Sequence, residues 1–288
     1  MMRRLDLTAR GIACAIAAVL AACGGAQKPA EEDPIALLAA GRYGDARRAV
    51  EDRGGRDPED LAIVALCRIA EGPSRGAAER AVEALREAPG EAGPAVAAVR
   101  MMEIAFSLPR GSADEIHPLA CEAALGAAGR GPLAPSDEGP APGSEVSRDL
   151  AISVLERLDI WLSSREEAVE STRLLQIWNG CYSLLGGSVE IADDVSAWRL
   201  YSSVAGLALF MEGADEKADL TSVLLETTVA VIEGNPDITV AVRCDLSSPF
   251  DRLRTALFHD RARLGRMERA VASADGCKRG KYAPTSRE

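Results

Sequence analysis

Hydrophobic positions recur along this chain at the three-and-four spacing of amphipathic helices, most regularly in its second half. Ala151, Val154, Leu155, Leu158, Trp161 and Leu162 form one stripe, and Leu174, Ile177, Trp178, Cys181, Tyr182 and Leu185 a second that Gly186-Gly187 stops. Val195, Trp198, Ser202, Ala205 and Leu209 mark a third, and Leu220, Val223, Leu224, Thr227 and Val231 a fourth ending at Gly234-Asn235-Pro236. Ser164 with Glu167 has the spacing to cap the second of these helices. Ile238 to Val242 is the one stretch with strand character, but no partner strand is visible, so a short helix to Leu246 is preferred. Ser248-Pro249 then opens a long last helix in which Phe250, Leu257, Leu264 and Val271 recur every seven residues, joined by Leu253 and Met267, with Asp260 as the polar interruption.

The first half is marked by its breakers. Asp33-Pro34 and Asp57-Pro58 each place an acceptor at a helix N-cap and a proline at the first helical position, where a missing N–H costs nothing. Helices are expected from Pro34 through Ala40, on to Arg53, from Pro58 to Ile69, from Ala77 to Ala88 and from Gly93 to Phe106, separated by Gly41, Gly54-Gly55, Gly72-Pro73-Ser74 and Pro109-Arg110-Gly111. A further helix to Ala128 starts either at the Ser112-x-x-Glu115 capping box or at Pro118. Between Gly129 and Gly143, eight of fifteen residues are Gly or Pro and Leu133 is the only large aliphatic, so this stretch reads as a linker or long surface loop and the best candidate domain boundary.

A shift of 32 residues lays Leu37 on Ile69, Ala46 on Ala78 and Arg48-Ala49-Val50 on Arg80-Ala81-Val82. With Gly41-Arg42-Tyr43 between two helices and Asp57-Pro58 after the second, residues 34 to 107 resemble the tetratricopeptide helical hairpin. The second unit lacks the Tyr, and an alanine-rich antiparallel helix array would give the same pattern. The fold class expected is all-α: a tetratricopeptide-like hairpin array over 34–128, the Gly/Pro segment 129–143, and a helical bundle or further hairpins over 144–275, with a basic tail at 276–288.

Composition narrows how such helices pack. Hydrophobic residues make up 47% of the chain and aromatics only 4%, so the core is built from Ala, Leu and Val, with all three Trp in the second half as core anchors. The net charge of −11 excludes a general nucleic-acid binder. From Arg252 to Glu288, however, ten Lys and Arg face four Asp and Glu, a local +6. Arg261, Arg263, Arg266, Arg269, Lys278, Arg279 and Lys281 are therefore a candidate patch for an anionic partner, the plainer alternative being a solvated face that balances an acidic body.

The first 23 residues change the setting. Arg3, Arg4 and Arg10 precede a dozen apolar residues, Gly11 to Ala22, too short to span a bilayer and right for a signal peptide. Leu20-Ala21-Ala22-Cys23 resembles the lipobox of bacterial lipoproteins. The resemblance implies removal of residues 1–22 by cleavage between Ala22 and Cys23, diacylglycerol on the Cys23 thiol, and a tether at 23–33. Gly24, where members retained in the inner membrane commonly carry Asp, implies the outer membrane. In an oxidising envelope, Cys67, Cys121, Cys181, Cys244 and Cys277 are the candidate disulfide cysteines, an odd number that leaves one over.

Catalytic chemistry finds little support. His117 and His259 are the only histidines, neither stands near a nucleophile motif, and each is expected at the surface or as a cap. No phosphate-binding loop, metal-ligand spacing or cofactor motif is present in the sequence. Carboxylates number 44, and Glu170-Ser171 resembles the Glu-Ser of lytic transglycosylases, without the family's following Gly-Leu-Met-Gln. The function expected is that of an envelope lipoprotein held by membrane lipid through acylated Cys23 and serving as a protein–protein adaptor. The alternatives are a carboxylate-dependent hydrolase of cell-wall glycan and a structural lipoprotein with no dedicated ligand.

Overall fold

Several helix starts in this protein are fixed by short polar side chains that satisfy backbone donors otherwise left without partners. In the computed structural model, which describes residues 33–108, 115–134, 139–164, 169–187, 191, 193–212, 218–244 and 249–272, the Asp33 carboxylate accepts the Ile35 N–H at 3.0 Å and opens α1 (Pro34–Ala39). Asp57 accepts the Asp60 N–H at 2.8 Å and opens α3 (Pro58–Glu71), after α2 (Tyr43–Asp52). Ser74 accepts from Ala77 at 3.2 Å and starts α4 (Arg75–Arg86) two residues before its apolar pattern begins. Then come α5 (Gly93–Ser107) and α6 (Ile116–Ala127). Ser144 accepts from Ser147 and opens α7 (Glu145–Ser163), followed by α8 (Ser171–Leu184) and α9 (Asp194–Glu212). The rest is α10 (Ala218–Gly234), α11 (Pro236–Cys244), α12 (Pro249–Ala256), a 3₁₀ turn at Leu257–His259 and α13 (Arg261–Ala272). The described residues contain no strand, and Ile238 to Val242 lies within α11.

Consecutive helices pack as antiparallel hairpins, and the hairpins stack in two layers. In one layer α3 packs on α5, α5 on α7 and α7 on α9; in the other α4 packs on α6 and α6 on α8. The second layer is not continued by α10, which packs on α9 and α13, while α12 lies on α9. The architecture is therefore an all-α helical-hairpin array. Helices on the two sides of 129–143 meet directly, α7 against α5 and α6, and a single buried cluster runs from Leu37 to Val271. Leu133 joins that cluster at 8% exposure, and Gly143 donates its N–H to the Leu184 carbonyl at 2.8 Å, so the described part of the Gly/Pro segment is tied to the array at both ends.

The two halves fill their cores differently. About half of the buried apolar residues of α3 to α6 are alanines, including Ala62, Ala65, Ala78, Ala81, Ala98, Ala105, Ala120 and Ala124, all without solvent exposure. Small side chains let helix backbones approach closely, which is how an aromatic-poor sequence reaches interior density. Trp161, Trp178 and Tyr201 fill the wider spaces between α7, α8 and α9, and Trp198 stacks obliquely on Tyr201 with ring centres 5.4 Å apart.

Three sequence expectations need correction. The last helix is two, because the chain tightens into a 3₁₀ turn at Leu257–His259 and leaves helical geometry at Asp260, which starts the next helix by accepting the Arg263 N–H at 3.2 Å. Of the seven-residue set, Leu257 and Val271 are buried and Phe250 and Leu264 half-buried, with Leu253 and Met267 buried beside them, but the recurrence does not report whether the backbone between them is continuous. Ser164 closes α7 rather than capping α8: its hydroxyl donates to the Trp161 carbonyl at 2.7 Å, and α8 begins at Ser171. Of the capping box, Ser112 lies outside the described residues and α6 starts at Ile116, directly after Glu115.

Candidate functional site

The sequence-derived site residues fall into three groups. Ala22, Cys23, Cys277, Lys278, Arg279 and Lys281 lie outside the described residues. Among those described, no helix is long and apolar enough to cross a membrane.

Of the cysteines, Cys67 on α3, Cys121 on α6 and Cys181 on α8 are buried free thiols. Burial in apolar surroundings pushes the Cys67 thiol up to about 12, helped by the nearby Glu71 carboxylate. The same desolvation raises Cys121 and Cys181. These three are small core side chains whose reactive thiolate form is suppressed. Cys244 ends α11.

The basic patch divides. Arg263 reaches across to α10, binding Glu226 at 2.9 Å and the Ser222 hydroxyl, and also binds Asp260. Arg266 binds Glu226 at 2.6 Å and Glu233 at 3.0 Å. Burial raises the Glu226 carboxyl, but hydrogen bonds from the two arginines outweigh it and leave the group below its ordinary value. Arg263 and Arg266 thus spend their charge fastening α13 to α10, and Arg261 and Arg269 are the patch arginines on α13 that face solvent. His259 is exposed, as expected. His117 is not: its ring is 8% exposed and lies against Phe106 with centres 4.2 Å apart, because α6 begins two residues before the expected Pro118 and turns this position inward.

A cleft that the sequence did not reveal opens where the first turns of α4, α6 and α8 come together. Its volume is about 490 Å³, and its walls include Arg75, Glu115, Glu122, Glu170, Arg173 and Gln176. Stacking of the second layer brings these residues together from positions about a hundred apart in sequence. Glu122, only 8% exposed, is bound by Arg173 across the α6–α8 contact, and this ion pair forms part of the cleft wall. Glu115 and Glu170 directly precede α6 and α8, where a carboxylate is favoured by the positive end of the helix dipole. Glu170 therefore lines a cleft with two other acids: Glu122 is committed to an arginine, while Glu115 and Glu170 stand at N-cap positions without a side-chain capping hydrogen bond. The mixture of both charge signs, amide and apolar wall suits a polar segment of another chain. Neither a protein-family model nor a curated protein nor a solved structure matches this chain.

Proposed function

We propose that this protein is an envelope lipoprotein, held by membrane lipid through acylated Cys23, that acts as a protein–protein adaptor. The anchor rests on the lipobox-like Leu20-Ala21-Ala22-Cys23, and the outer membrane on Gly24. The tether of about ten residues that follows spans at most about 35 Å, so the array stays near the bilayer surface. The adaptor role is carried by one observation: stacked hairpins build a cleft of about 490 Å³ of mixed charge across three helices, with its central acid already paired. The tetratricopeptide likeness of residues 34 to 107 belongs to the same proposal.

Two measurements test it. Cys23→Ser should move the protein from the membrane to the soluble envelope fraction; unchanged retention overturns the anchor. Affinity capture from detergent-solubilised membranes should recover a stoichiometric partner that Arg173→Glu loses, and recovery of none overturns the adaptor. The hydrolase alternative has one observation in its favour, the three acids on the cleft wall. Release of soluble fragments from cell-wall glycan, abolished by Glu115→Gln or Glu170→Gln, would establish it.

A further inference from the structure

The outer face of α8 departs from every rule that the rest of the surface follows. Its exposed residues are Thr172, Leu175, Gln176, Asn179, Tyr182 and Ser183, none of them charged, with Leu175 40% and Tyr182 41% exposed. From Leu174 to Gly187 there is no Asp, Glu, Lys, Arg or His, in a chain where 27% of residues are charged. By contrast, α4, which occupies the equivalent place in the same layer, exposes Arg75, Glu79, Arg80 and Glu83. The neutral face also lies where the layer stops, since α8 packs on α6 and α7 and α10 turns away to α9 and α13. Tyr182 is held in place rather than free to swing: its ring stacks on Trp178 with centres 5.9 Å apart, and its hydroxyl donates to the Gly187 carbonyl at 3.2 Å. Fixed aromatic side chains of this kind make strong interface anchors, because little motion is lost on binding.

We propose that this face seats a second copy of the same chain, the two α8 helices packing antiparallel about a two-fold axis through Asn179. Charge selects this occupant. Two bodies of net charge −11 repel over most of their surfaces, and they approach without penalty only where no charge faces charge. A face built for a foreign acidic or basic partner would carry the complementary charges, and this one carries none.

Sequence spacing supplies the symmetry. Leu175, Gln176, Tyr182 and Ser183 stand three and four residues on either side of Asn179 on the exposed face of α8, the spacing of a helix-packing ridge, so Asn179 is at its middle. A two-fold contact must be complementary to itself. An Asn amide holds both donors and an acceptor, so Asn179 pairs with its own symmetry mate. The same operation carries Leu175 of one copy toward Tyr182 of the other. The second copy thereby takes the place of the neighbour that the layer lacks. One helix face buries less than about 800 Å² a side, the small end of the range for a stable dimer, so association in solution is weak. Confinement to a membrane raises the effective concentration; that part alone depends on the proposed anchor.

The full chain carrying Cys23→Ser, followed by sedimentation velocity from micromolar to hundreds of micromolar, should show a reversible monomer–dimer equilibrium. Asn179→Asp and Asn179→Lys each place like charges on the axis and should weaken it at least about a hundredfold, with circular dichroism unchanged. An equimolar mixture of the two variants should restore the dimer, because the same residue then faces its opposite. Asn179→Cys should give a covalent dimer on mild oxidation, a readout that serves even if the charged variants fold poorly. A parent chain that is monomeric throughout, a dimer indifferent to both substitutions, a mixture no tighter than its components, or no covalent dimer overturns the proposal. A monomeric chain that still captures another protein overturns it too, and leaves the adaptor role standing.

Discussion

Gly206 on α9 lies directly against the Asp159 carboxylate of α7, and replacing it tests the α7–α9 contact within the second half of the array. A Cβ at this position would stand 2.5 Å from the Asp159 Cγ and 2.8 Å from its Oδ2, with Oδ1 nearer still. Asp159 is 7% exposed and its carboxylate also accepts from the Ser163 hydroxyl at 3.4 Å, so a short side chain with little room has to move, or the helices must part. Overpacking of this kind costs about 1–3 kcal/mol. Replacing Gly by Ala inside a helix returns about 1 kcal/mol. The overlap places Gly206→Ala toward the upper end, a net loss of about 1–2 kcal/mol, which lowers Tm by about 2–8 °C in a chain of this size. Gly265→Ala on α13 is the control, because the nearest atom there is the mobile Nη1 of Arg269 at 3.3 Å, and it should gain up to about 1 kcal/mol from helix propensity. Thermal unfolding by far-ultraviolet circular dichroism reads both, and adding Asp159→Ala to Gly206→Ala should recover part of the loss through a favourable coupling. If Gly206→Ala raises Tm as much as Gly265→Ala does, the close approach of α7 and α9 is wrong.

Two further outcomes follow from the described groups. Cys67, Cys121 and Cys181 should resist a thiol-labelling reagent at neutral pH in the native protein and react fully in denaturant, as counted by mass spectrometry; native labelling of Cys67 would contradict its burial. The attachment of α13 to α10 should loosen at low pH. Glu226 and, through the Arg263 backbone N–H first, Asp260 are held below their ordinary values of 4.5 and 3.8 in the folded state, so their contribution is complete above those values and is lost as pH falls through the lower folded ones. Each part-exposed pair contributes only about 0–1 kcal/mol and is screened by salt, so the readout should be local: proteolysis near residue 260 that accelerates in acid and in high salt, less so for Glu226→Gln. Equal acid sensitivity in that variant would refute the assignment.

Most of the helical array was legible in the sequence because its signals are local. An acceptor followed by proline at Asp33 and Asp57, and glycine pairs at Gly54 and Gly186, act within a turn or two of the backbone they control. What escaped is long-range or concerns the backbone itself. The partners of Arg263 and Arg266 stand more than thirty residues away on α10, so a stretch that looked like a basic patch is largely a clasp. The cleft brings Arg75, Glu122 and Arg173 together from three hairpins, and nothing in the spacing of any one hairpin announces it. Ser164 sits between two helices, where a hydroxyl serves equally as the end of one or the start of the next, and donation to the Trp161 carbonyl decides between them. The neutral run after Leu174 was visible as an amphipathic stripe, yet its meaning depends on the layer ending at α8, which only the packing reveals.

The alanine seams of α3 to α6 give the chain a directional tolerance to mutation. At a buried alanine such as Ala81 or Ala124, every replacement except glycine enlarges the side chain, so damage there comes as wedging, which drives two backbones apart along a whole helix. At Trp161, Trp178 or Leu200 nearly every replacement shrinks it, and damage comes as a local void. Random variation should therefore weaken the amino-terminal hairpins by displacing their neighbours and the carboxyl-terminal ones by hollowing themselves, two failure modes that small cavity-binding gases such as xenon would tell apart.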